Sequence, residues 1–163
     1  MAQDISILSK QLLENAKEEI DDSYALMVTT FVNLNILYST SSLGRYISEQ
    51  LISELQVAGI NVIDVRKTPA LMISEGHGEY GLSRNMDELS FVQPIQAMVV
   101  GTYTVAEGKI FINARVLRNS DSMVLSTAHL TFDVDPVMAR LLADEGMPVG
   151  PGKPVQVRAF NDK

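Results

Sequence analysis

Cysteine and tryptophan are both missing from this chain of 163 residues. The lack of cysteine excludes disulfides, thiolate metal ligands, a cysteine nucleophile and a lipid anchor on cysteine within this sequence. No apolar run approaches the roughly 18 residues that a membrane-spanning helix needs. Met1-Ala2-Gln3-Asp4 lacks the basic and apolar regions of a secretory leader. Positive charge is scarce as well: 20 acidic against 13 basic residues give a formal net charge of -7. That balance argues against the phosphate backbone as a ligand, so nucleic acid is not an expected partner.

What is present is the composition of one globular domain, 46% hydrophobic and 20% charged. A chain of this length buries roughly 68–70% of its unfolded surface and sustains a core without covalent staples.

Ile5, Leu8, Leu12, Ala16 and Ile20 recur at three- and four-residue steps, which predicts an amphipathic helix with Asp4 as its N-cap. Tyr24 to Val32 is apolar on both alternating faces and reads as a buried strand, followed by a polar loop. Ser41-Ser42 opens a second helix with the stripe Leu43, Ile47, Leu51, Leu55 and Ala58, and Gly59 stands where a left-handed C-cap is wanted. Ile60 to Val65 reads as an interior strand, so strand, helix and strand predict a crossover with parallel pairing.

Residues 67–96 are irregular, broken by Pro69 and closed by Pro94, with a short helix expected around Asn85 to Leu89. Three strand-like runs follow, Ala97 to Val105, Lys109 to Arg118 and Met123 to Val134, and predict an antiparallel meander. Ile110, Ile112, Ala114 and Val116 should face the helices, leaving Phe111, Asn113, Arg115 and Leu117 on a partly wet face. Asp135-Pro136 starts a last helix through about Ala143. Beyond it the chain is rich in Gly and Pro and is expected to run extended, with Val155 to Phe160 alternating enough to add to an open sheet edge.

The expected class is therefore α/β (α+β), with a mixed sheet built in the order α-β-α-β, then a three-stranded antiparallel meander and a C-terminal helix. One domain over residues 1–145 and a Pro/Gly-rich tail over 146–163 complete it.

Chemistry is harder to find. Gly76-His77-Gly78-Glu79-Tyr80-Gly81 matches a dinucleotide-binding string, but its flanks lack the strand and the ribose-binding acid that give the string meaning. It reads as a Gly-rich connection, with nucleotide binding as the less favoured alternative. His129 alternates with Thr127 and Thr131 and belongs to a polar strand face. Glu14, Glu18, Glu19 and Asp121 sit in helical or turn contexts and do not form an evident acid–base pair. No spacing of His, Asp and Glu suits a metal. No catalytic residue, metal or cofactor is expected. Arg45 and Glu49, four apart, read as an exposed pair, and Arg84 as a tie within its irregular segment or to a partner. The eight methionines read mainly as core gap-fillers.

Three stretches carry a resemblance: Ser41-Ser42-Leu43-Gly44-Arg45-Tyr46-Ile47-Ser48-Glu49, then Gly78-Glu79-Tyr80-Gly81-Leu82-Ser83-Arg84, then Ala97 to Tyr103 together with Ile112-Asn113-Ala114-Arg115. In order and spacing they resemble the FlgO family of flagellar outer-membrane-associated proteins, from about Leu12 to Phe132. Asn85 stands where the family often has an acidic residue.

The resemblance implies a non-enzymatic protein of the periplasm, associated with the outer membrane and contributing to flagellar assembly, stability or motility through protein contacts. Basal-body ring components are the implied partners, and a homo-oligomer is compatible with it. Membrane contact is expected only through a leader or lipid anchor outside this chain, as in a processed protein or one whose Met1 replaces the leader. A general envelope accessory or regulator is the alternative. The implied fold is similar to the TolB N-terminal and CsgG-like domains. Candidate contact residues are Gly78, Glu79, Tyr80 and Arg84 in the irregular loop, with Asn113, Arg115 and His129 on the meander.

Overall fold

A computed structural model of the protein describes residues 1–64 and 95–144. The chain runs through α1 (Ala2–Glu14), β1 (Ala25–Val28), β2 (Val32–Asn33), α2 (Ser42–Val57) and β3 (Asn61–Val62). It continues with β4 (Ala97–Ala106), β5 (Lys109–Arg118), β6 (Val124–Asp133) and α3 (Pro136–Leu142). The result is the mixed α+β class expected from the sequence.

Helix ends follow local chemistry with one exception. Ser41 caps α2 by accepting the Gly44 N–H at 3.3 Å, and Asp135 caps α3 by accepting the Met138 N–H at 2.8 Å. At the other end of α2, Gly59 takes φ +92°, its N–H bonds Gln56 O and the Ile60 N–H bonds Leu55 O, the two bonds of a Schellman stop. The exception is α1, whose N-cap is Met1; the Asp4 N–H bonds Met1 O at 3.0 Å, so Asp4 lies inside the first turn. This helix ends at Glu14, short of Ala16 and Ile20, although Ile20 still reaches the core.

The sheet has the order β3-β1-β4-β5-β6, with β2 also beside β4. β1 pairs in parallel with β3 and β4, as a strand–helix–strand crossover predicts, whereas β4, β5 and β6 form the antiparallel meander. The turn between β4 and β5 is two residues, Glu107 and Gly108, both at positive φ as a tight hairpin requires. Two expectations are corrected. Of the run Ile60 to Val65, the described residues 60–64 contribute a two-residue strand, Asn61–Val62, at the end of the strand order. The single strand expected from Tyr24 to Val32 is two strands, because Phe31 bonds outside the sheet: its N–H donates to Ser48 Oγ at 2.9 Å and its carbonyl accepts Thr40 Oγ1 at 2.5 Å.

One face of the sheet carries the main core. Ile110, Ile112, Ala114 and Val116 pack there with Leu43, Ile47, Leu51 and Leu55 of α2 and Ile5, Leu8 and Leu12 of α1. Ala58, expected on the α2 stripe, is exposed instead. Three of the methionines, Met27, Met98 and Met138, are buried as gap-fillers should be. On the opposite face, among the described residues, Met27, Ile95, Met98 and Val100 cluster with Ile63 and Leu117 at one end and keep it dry.

Candidate functional site

Starting from Val100, the edge of that dry end, the face of the meander opens into an array of three rows. Register places Val100, Arg115 and Thr127 in one row, Thr102, Asn113 and His129 in the next, and Thr104, Phe111 and Thr131 in the third. Asn113, Arg115 and His129, selected from strand alternation alone, therefore share one exposed surface, with Asn113 and His129 directly opposed. None of the nine side chains in these rows is a carboxylate. Against a chain of net charge -7 this is a locally cationic, donor-rich surface: Arg115 offers a planar fork, and Asn and Thr side chains both donate and accept. Such a face suits recognition by hydrogen bonds and holds no nucleophile activated by a base. Gly78, Glu79, Tyr80 and Arg84 lie outside the described residues, as do the Gly-rich string, the Asn85 to Leu89 segment and the Pro/Gly-rich tail.

Two long-range clusters escaped the sequence reading. Arg118, at the end of β5, bonds Glu18 Oε1 through Nη2 and Asp121 Oδ2 through Nη1, each at 2.9 Å. Hydrogen bonds from Arg118 and then Tyr24 hold the Glu18 carboxyl below the usual carboxylate range. Burial, reinforced by the Glu18 hydrogen bond, raises the Tyr24 phenol. Glu18, Tyr24 and Arg118 border a cavity of about 510 Å³ lined also by Ile95, Gln96, Asn119 and Ser120. Two of its polar side chains hold backbone groups: Gln96 Oε1 accepts the Ala25 N–H and Asn119 Nδ2 donates to Ile95 O, both at 2.7 Å. Arg118, the guanidinium of this lining, is already paired by Glu18 and, from outside the lining, by Asp121.

The second cluster ties the end of α3 to the start of α2. Asp144 accepts the Ser42 N–H and the Ser42 Oγ–H, each at 2.7 Å, and pairs with Arg45 Nη2 at 2.8 Å. Arg45, read from the sequence as the partner of Glu49, thus serves a contact 99 residues away. Sequence inspection also missed the exposed apolar segment Leu34 to Tyr38 between β2 and α2. Among the described residues no three His, Asp or Glu side chains gather to hold a metal ion, and no helix is long and apolar enough to cross a membrane.

Comparison with known proteins adds family and fold. The family model described as FlgO protein matches residues 6–137. No curated protein matches the chain. Among solved structures, the LpoB C-terminal domain from Escherichia coli superposes with a TM-score of 0.62 at 7% identity, covering 82% of this chain and 98% of that one. The same domain from Salmonella enterica gives 0.60 at 11% identity, covering 81% and 97%. Lipoprotein GNA1162 from Neisseria meningitidis gives 0.50 at 10% identity, covering 85% and 91%. At such identities the likeness is one of fold.

Proposed function

Since the chain belongs to the FlgO protein family, we propose that it is a non-enzymatic envelope protein that serves flagellar assembly, stability or motility through protein contacts. The family match over residues 6–137 carries this reading. Its place is the periplasm, in association with the outer membrane, and its partners are components of the rings around the flagellar basal body.

The open face of the meander is the proposed contact surface. Arg115, Asn113 and His129 give it directional donors and a positive charge, which fits a partner surface bearing carboxylates and backbone carbonyls. The loop residues Gly78, Glu79, Tyr80 and Arg84 are proposed as a second part of the contact, on the strength of the sequence motif they belong to.

A deletion of the gene, complemented in trans and scored for swimming in soft agar and for filaments by electron microscopy, tests the reading. Lost motility or filaments, restored by the gene, is the expected result. Normal swimming with normal filaments would favour a second reading, a general envelope accessory protein. The likeness to LpoB C-terminal domains over almost their whole length, and to a lipoprotein, supports that alternative.

A further inference from the structure

The segment joining β2 to α2 exposes apolar side chains that globular proteins ordinarily bury: Leu34 is 46%, Ile36 54%, Leu37 44% and Tyr38 53% exposed. Its backbone is nevertheless tied down. The Leu34 N–H donates to Tyr103 O of β4 at 2.9 Å, the Asn33 N–H to Ser39 O at 2.8 Å, and the Ser39 N–H to Ile36 O at 2.9 Å. Asn33 Oδ1 takes the Asn35 N–H at 2.8 Å, and the Ile36 N–H returns to Asn33 O at 3.1 Å. Charge is absent throughout: between Asp22 and Arg45 the sequence has no acidic or basic side chain.

From these three properties we propose that the tip formed by Leu34, Ile36, Leu37 and Tyr38 docks onto a lipid bilayer, with its apolar side chains in the boundary between headgroups and acyl chains. Hydrocarbon supplies no hydrogen bonds, so backbone entering it must bring its own partners; the N–H groups of Leu34 and Ile36 do so, as do those of Asn33, Asn35 and Ser39 around them. The segment itself carries no charge to desolvate. Tyr is a residue of membrane interfaces, apolar in its ring and polar at its tip.

Size separates this from a protein interface. Four half-exposed side chains present on the order of 400 Å², within the range of functional apolar patches (~300–600 Å²) but about half the ~800 Å² that each partner contributes to a stable protein interface. A second copy is thus not favoured as the occupant. Since the tip has no Lys or Arg and the chain is net negative, attachment does not depend on anionic lipid. The inference goes beyond the flagellar reading and does not rest on it.

Because the chain has no tryptophan, Leu37→Trp gives a single fluorescent reporter in the full-length protein. With phosphatidylcholine vesicles, the expected result is a blue shift, quenching by brominated acyl chains, and equal binding at low and high salt. Adding Ile36→Asp should weaken binding by roughly tenfold or more. Adding Val57→Asp, at another exposed apolar residue, at the opposite end of α2, should leave it unchanged. Should Leu37→Trp lower the melting temperature, Tyr38→Trp replaces it as the reporter. Emission that ignores vesicles would overturn the proposal. So would a blue shift that grows with protein concentration in their absence, which would assign the tip to a second copy, or binding that requires anionic lipid and vanishes in salt.

Discussion

The phenyl ring of Phe31 fills the space that a β-carbon on Gly101 would occupy. The ring belongs to the break between β1 and β2, and the glycine to the middle of β4. Both are fully buried or nearly so, in the main core beside Leu43 and Tyr103. The strand break is therefore not an accident of a short strand: Phe31 leaves the sheet because its backbone is bonded by Ser48 and Thr40, and its ring returns over the one position of β4 that has no side chain.

Gly101→Ala should lower stability by about 1–3 kcal/mol, as overpacking of a rigid interior does. For a chain of this length each kcal/mol moves the melting temperature by roughly 2–4 °C. Thermal melts of Gly101→Ala, Phe31→Leu and the double variant check the contact: the double variant should lose less than the sum of the two. Strict additivity would mean that the ring and the glycine do not meet.

Asp144 gives a prediction about pH. Burial by itself raises its pKa, but hydrogen bonds from the Ser42 N–H and Oγ–H and the charge of Arg45 overcome this and leave the carboxyl below its ordinary 3.8. A carboxyl with a depressed folded-state pKa adds stability above its unfolded pKa and loses it as pH falls through the folded value. Asp144→Ala should thus cost about 1–2 kcal/mol at neutral pH. The gap between variant and parent, measured as urea midpoints, should narrow steadily below about pH 4. A gap that stays constant into acid would mean that the ionised carboxylate is not what ties α3 to α2.

The outer edge of β6 is covered by polar groups from α1 and the residues after it. Gln11 Oε1 accepts the His129 N–H at 3.0 Å, Asn15 Nδ2 donates to Thr127 O at 2.9 Å, and the Lys17 N–H donates to Leu125 O at 2.9 Å. Edge strands left uncovered invite pairing with another chain. The double variant Gln11→Ala, Asn15→Ala uncovers two of the three positions, and its expected outcome is concentration-dependent self-association by light scattering with little loss of helix by circular dichroism. An unchanged monomer–oligomer balance would show that these side chains do not guard the edge.

On the open face, Arg115→Glu with His129→Ala should leave the melting temperature within about 1–2 °C of the parent, since exposed substitutions away from special features change stability by under ~0.5 kcal/mol. The same variant should fail to restore motility to the deletion strain. Restoration at full level would remove these residues from the contact surface.

Much of this was readable in residue order. The α2 stripe at Leu43, Ile47, Leu51 and Leu55, and the alternation of Ile110, Ile112, Ala114 and Val116 with Asn113 and Arg115, are periodic signals that local burial follows directly. The wet face was legible for that reason, while the pairing of Asn113 with His129 required the register of β5 on β6. What could not be read were contacts made across the chain. Asp144 meets Ser42 102 positions away, and Arg118 meets Glu18 at a separation of 100, with no local pattern to announce either. The strand break at Phe31 depends on Ser48, a residue of the following helix. Leu34 to Tyr38 read as part of a polar loop because Asn, Ser and Thr surround it, and only the fold turns its apolar side chains outward.

In the proposed function the protein works through contacts made by the open face of its meander within the flagellar apparatus. A photo-crosslinking amino acid placed at Asn113 in flagellated cells tests it most directly, with a second probe at Ser53, exposed on α2, for comparison. A specific adduct with a basal-body protein from position 113, absent from position 53 and lost when Arg115→Glu is added, is the predicted result. Adducts from position 53 alone, or adducts from position 113 that contain no flagellar component, would contradict it.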